Sequence, residues 1–173
     1  MIGGDDRELP RGSNGEIVGR AISMMRGYVN RPELTREMLW TSPEGKVYYR
    51  SGDMGRIDED GFIYILDRRK DMIISGGFNI YPVDLEKVLL SHPAVADATI
   101  IGIPSEHWGE TPLGLVVLQP DRNETENGIL EWANTQLGKS QRLAAIEFRA
   151  TLPRSAIGKV LKRELRAPYW PGT

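Results

Sequence analysis

Residues Leu152 to Leu165 read LPRSAIGKVLKREL, a glycine–lysine pair between a proline-led loop and a short basic helix. A lysine on a glycine-flanked loop is a mobile point charge suited to a phosphate or a developing oxyanion. A Walker-type phosphate loop is excluded by spacing, because Pro153 stands where its first glycine is required and Val160 follows Lys159. The run YRSGD sets Asp53 behind Ser51-Gly52. A carboxylate there can accept two hydroxyls, as from the cis-diol of a ribose, or bond its own turn backbone. In LDRRKD, Arg68 offers a planar fork to a phosphate or ribose, although a run of cations is more often a solvated face. In ISGGFNIYP, Gly76 and Gly77 allow close approach to a ligand or a left-handed turn.

The elements that must carry these residues can be read from periodicity. Gly15–Met25 suggests a strand, and RPELTREML a helix with proline in its first turn. Tyr48–Arg50 and Phe62–Leu66 are strand-like runs joined by the turn residues Asp58–Gly61. MIIS is a short strand, with GGFN as a turn after it. Pro82 opens a helix to about Leu90, with Val83, Leu85, Val88 and Leu89 apolar. Strands follow at Val95–Ile103 and Leu113–Pro120, then an amphipathic helix in ETENGILEWANTQL, a strand in AAIEFRA and a last helix from about Lys159 to Arg166. From Asp67 onward this predicts a compact α/β sandwich.

Composition removes several classes of function. The chain of 173 residues has net charge −2 and no basic–aromatic stripe, which argues against nucleic acid as partner. With no cysteine and only His92 and His107, thiolate catalysis, disulfides and histidine-rich metal sites are excluded. The absence of cysteine fits a cytoplasmic location. No apolar run approaches the ~20 residues of a membrane helix. The polar, glycine-rich N-terminus is neither a signal nor a transit peptide and reads as chain entering from elsewhere.

Each motif is weak alone, but their order and spacing are specific. YRSGD, DGFIYILDRRKDMIISGGFNIYPVDLE, HPAVADATIIGIPSEHWGETPLGLVVL and LPRSAIGKVLKREL together resemble the C-terminal part of the acyl-activating, adenylate-forming enzymes, from about Gly15 to Arg166. SGGFNIYP leans towards the acyl- and aryl-CoA synthetases (the AMP-dependent synthetase/ligase family). The resemblance implies an α+β fold: a small C-terminal lid domain at 67–173, with a short mixed sheet flanked by helices, behind a β-rich remnant of the large N-terminal domain at 1–66. It implies ligation of a carboxylic acid to CoA through an acyl-adenylate, with ATP, CoA and Mg2+ as cofactors of the full-length parent.

By the same resemblance, Lys159 is the catalytic lysine that reaches the acyl carboxylate and α-phosphate. Asp53 and Arg68 bind ATP or AMP, Asp67 is the hinge, and Gly76, Gly77 and Phe78 line the CoA channel. No metal ligand is implied in this segment. Glu86 and Glu110 match recurrent positions without assigned chemistry. Arg154, Lys162 and Arg163 meet CoA phosphates or form a solvated face. The phosphate loop, adenine-stacking motif and acyl pocket of a whole enzyme are missing. The chain therefore reads as a fragment, inactive alone, whose main partner is its own N-terminal domain. A stand-alone binding lid, or a ligase serving a carrier-protein thiol, are the rival readings. Residues 1–67 are expected to be partly disordered or self-paired through exposed β edges, and the lid to fold alone.

Overall fold

The computed structural model describes residues 1–171, which form two compact units, Met1–Lys70 and Asp71 onward. The first unit is built on β3 (Val47–Ile57). One edge of β3 carries β1 (Asn14–Gly19). The other edge carries β2 (Leu39–Thr41) at its start and β4 (Ile63–Arg68) at its end. All pairings are antiparallel. A short helix, α1 (Pro32–Glu37), starts on its proline and leads into β2.

β1 is shorter than the alternation in Gly15–Met25 suggests, because its ladder ends at Gly19↔Tyr49. Past that point apolar residues have no sheet to cover them, and Ile22 is fully exposed. β3 is longer than Tyr48–Arg50, since it continues through Asp53 to pair with β4. The N-terminal residues are tied in: Ile2 is buried and exchanges hydrogen bonds with Glu16, and Trp40 Nε1 donates to the Asp6 carbonyl at 2.7 Å. Glu16, a buried carboxylate, lies 3.1 Å from Arg50 and 3.0 Å from Arg69, the pairing a buried charge requires.

The second unit centres on a long antiparallel hairpin, β7 (Val95–Ser105) and β8 (Gly109–Leu118). A small hairpin, β5 (Ile73–Ser75) and β6 (Phe78–Ile80), joins β8 at Ser75↔Gly109, and β9 (Ala145–Phe148) runs parallel to β8. The sheet is therefore mixed, as the α+β reading required. On one face, α2 (Pro82–Leu90) and α3 (Glu126–Gln136) bury Leu85, Leu89, Ile129 and Ala133 against Ile100, Val116 and Ile146. On the other, Leu152, Val160, Leu165 and Tyr169 cover Ile101, Leu113 and Leu115. That second layer carries α4 (Lys162–Arg166).

α2 spans the residues its sequence predicts, because Pro82 sets its start and its apolar positions have one face to bury. Two elements differ from expectation. Phe78 and Asn79 belong to β6 rather than to a GGFN turn, since they pair with Ser75 and Ile74. α4 starts at Lys162 rather than Lys159, because Val160 bridges Arg154 and the Leu161 amide donates to the Pro153 carbonyl at 2.8 Å. Backbone committed to a hairpin cannot also open a helix.

Candidate functional site

Lys159 is exposed on a tight hairpin. The Gly158 amide donates to the Ser155 carbonyl at 2.8 Å, and the Ser155 amide to the Lys159 carbonyl at 2.8 Å. The Lys159 amide donates to Ser155 Oγ at 3.2 Å. Gly158 has φ +81, a left-handed conformation that glycine takes without the clash a Cβ would bring. The lysine is thus presented from a closed turn, with Ile157 89% exposed at the tip. Of the basic residues expected near anions, Arg154 pairs with Asp97, and Lys162 Nζ lies 2.8 Å from Glu86 Oε1. Glu86 Oε1 also accepts the Thr99 hydroxyl and the Ile100 amide, each at 2.9 Å. These two cations therefore anchor structure, while Arg163 is exposed. Glu110 lines a shallow cleft with Arg163 and Trp170.

Gly76 and Gly77 form the β5–β6 turn with φ +57 and +82. Gly76 is constrained twice, because a Cβ there would sit 2.6 Å from Cε3 of Trp108. Its amide donates to the Trp108 carbonyl at 2.9 Å. Phe78 and Trp108, both more than half exposed, stand over a cavity of about 600 Å³. Lys139, Arg142, Leu143 and Ala144 complete much of its lining. Two aromatic faces and two cations suit a flat ring carrying phosphate. The sequence reading missed Trp108, Lys139 and Arg142. A lone tryptophan in the polar turn EHWGE was a usable signal, whereas the two cations reach the cavity only through the fold.

In the first unit, Asp53 and Arg68 face each other in register, with Arg68 Nε 2.8 Å from Asp53 Oδ1. The Asp53 amide donates to Ser51 Oγ at 3.0 Å, so the turn is closed by the serine hydroxyl and not by the aspartate side chain. Asp67 lies within β4 opposite Met54, and its Oδ1 accepts the Arg68 amide at 2.7 Å. The two units divide between Lys70 and Asp71, a few residues beyond Asp67. A depression of about 600 Å³ beside this pair is lined by Ser51, Gly52, Arg68, Arg69 and Lys70, with Glu16 and Arg50. The fold thus joins Asp53 to Arg68 in one unit. In the other it gathers Gly76 and Phe78 with Trp108 and holds Lys159 on a separate hairpin. Among the described residues, no three His, Asp or Glu side chains gather to hold a metal ion. No helix among them is long and apolar enough to cross a membrane.

Known proteins share this arrangement. The chain is 39% identical over 169 residues to the long-chain-fatty-acid–CoA ligase FadD13 of Mycobacterium tuberculosis, which covers 97% of this chain and 32% of that protein. It is 43% identical over 158 residues to the 2-succinylbenzoate–CoA ligase of Bacillus cereus, covering 91% of this chain and 31% of that one. The crystal structure of ATP-bound MatB from Rhodopseudomonas palustris superposes with a TM-score of 0.83 at 35% identity, covering 93% of this chain and 31% of MatB. The chain thus spans about a third of the length of the relatives it matches. Residues 84–159 match the AMP-binding enzyme C-terminal domain, a stretch that runs from α2 to the hairpin lysine. Residues 84–159 thus belong to the AMP-binding enzyme C-terminal domain family, and nearly the whole chain is similar to about a third of each acyl-CoA ligase.

Proposed function

We propose that this chain supplies the adenylating lysine and the CoA-side surface of an ATP-dependent carboxylic acid–CoA ligase, and that it is inactive alone. In the first half-reaction a carboxylate oxygen attacks the α-phosphorus of ATP. An O–P bond forms, the bond to the β-phosphate oxygen breaks, and pyrophosphate leaves with the electron pair. In the second, the CoA sulfur loses its proton and attacks the acyl carbon, and AMP leaves.

Two anions must meet in the first step. At about 4 Å, unit charges repel by roughly 4 kcal/mol at an effective dielectric of ~20. The Lys159 ammonium, on its closed hairpin, offsets that repulsion and the charge of the transition state. Asp53 is the ribose acceptor, and its contact with Arg68 means that the hydroxyls share or displace this partner. Gly76, Gly77 and Phe78 border the thiol channel, and the cavity under Trp108 receives the nucleotide end of CoA. Asp67 belongs to the connection about which the lid turns. Mg2+ would accompany ATP from residues outside this segment, and neither step above is routed through it.

One observation carries the reading. Ligases for a long-chain fatty acid and for 2-succinylbenzoate match the chain at 39% and 43% identity. Similarity to ligases for two different acids supports a role in the step they have in common rather than in the choice of acid. The native polypeptide containing GGFNIYPVDLEK tests it. The expected result is a polypeptide about three times as long as this chain, releasing pyrophosphate in the presence of an acid, while the isolated chain of 173 residues releases none. A free 19.4 kDa product in the cell, or steady pyrophosphate release by the isolated chain, would contradict it.

A further inference from the structure

The hairpin that presents Lys159 is fastened to the sheet by a linkage with no counterpart in its own turn. Asp97 stands on β7, and its Oδ1 accepts the Ala98 amide at 3.0 Å, which fixes the carboxylate. Its Oδ2 accepts from Arg154 Nη2, across 57 residues of sequence. The other arm of the same guanidinium, Nη1, donates to the Gly158 carbonyl at 2.7 Å. Gly158 immediately precedes Lys159. On the far side of the hairpin, Lys162 is held by Glu86, which is itself held by Thr99 and Ile100 of the same strand.

We propose that Asp97 and Arg154 are a positioning pair that aims Lys159 by clamping the peptide before it. An ion pair with side chains 31% and 43% exposed adds little to stability. Its effect lies in where it holds the backbone. The planar fork reaches Asp97 and the Gly158 carbonyl from two nitrogens in a fixed plane, and lysine at position 154 keeps the charge but not that two-nitrogen geometry. The clamp matters to chemistry through Lys159, and in that respect rests on the function proposed above.

Two measurements decide it. In the 173-residue chain, backbone order parameters at Gly158 and Lys159 should be about 0.85 and fall below about 0.6 in D97A and R154K, with β7 and β8 unchanged. In the full-length parent, D97N and R154K should slow adenylation by about 10- to 100-fold through kcat, with KM for ATP and thioester formation from preformed acyl-adenylate unchanged. D97E, which can still reach Arg154, should recover most of the rate. Unchanged order parameters in both variants would overturn the clamp. So would a loosened hairpin with unchanged adenylation in a parent where K159A abolishes it. If K159A itself leaves adenylation intact, the assignment of the lysine fails, and the order parameters alone still decide whether Asp97 and Arg154 hold the hairpin.

Discussion

Gly76 illustrates what a single residue has to satisfy. Its φ of +57 favours glycine, and Trp108 leaves no room for a Cβ. Gly77 has φ +82 but open space around it. Alanine at Gly77 should therefore cost only the left-handed penalty, about 1–2 kcal/mol. Alanine at Gly76 should cost more and should also change Trp108 fluorescence, because the ring must move. Equal losses in urea unfolding for G76A and G77A would remove the ring from the explanation. The loop that presents Lys159 and the turn at Gly76 and Gly77 were legible because their residues are contiguous along the chain. Trp108 as the partner of Gly76, and Asp97 as the partner of Arg154, were not. These contacts join residues far apart in sequence, and only the pairing of β5 with β8, and of the hairpin with β7, brings them together.

Among the elements, those with one apolar face and a defined start were legible. α2 has Pro82 at its first turn and Leu85 and Leu89 on the buried side. Elements defined by competition for backbone were not: β6 took residues from a turn, and the lysine hairpin took the first turn of α4. Asn134 on α3 holds the segment that leads from α3 to β9. Asn134 Oδ1 accepts the Leu143 amide at 2.8 Å, and its Nδ2 donates to the Leu143 carbonyl at 3.1 Å. Leu143 is buried, so Asn134→Ala leaves both groups without these partners and should cost about 2–3 kcal/mol by urea unfolding. A loss under about 0.5 kcal/mol would mean that water replaces the amide.

The segment after α4 is sensitive to base. Burial, and then the hydrogen bond from its hydroxyl to Glu147 Oε2 at 2.7 Å, push Tyr169 above the ordinary tyrosine value. Folding thus favours the neutral phenol. That contribution is complete below about pH 10 and is lost as pH rises through the raised folded value. Stability should decline more steeply above about pH 10 in the native chain than in Y169F. Parallel alkaline profiles would show that Tyr169 ionises alike in the folded and unfolded chain.

At the scale of the whole molecule, the first unit exposes Phe62, Ile63, Tyr64 and Ile65 on or beside β4, an edge strand. An apolar edge of this kind is ordinarily covered, and in the proposed full-length ligase the large N-terminal domain would cover it. The general fold class and the order of elements were legible because four motifs fix them along nearly the whole chain. The buried place of Ile2 and the clustering of cations around the Trp108 cavity were not, since neither leaves a local pattern. In the proposed two-step ligase, Lys159 serves one half-reaction only. Pyrophosphate–ATP exchange and thioester formation from preformed acyl-adenylate, measured side by side in the parent carrying K159A, test it most directly. A loss of about 10²- to 10³-fold in exchange is expected, with thioester formation close to native. Equal losses in both steps, or none in exchange, would contradict it.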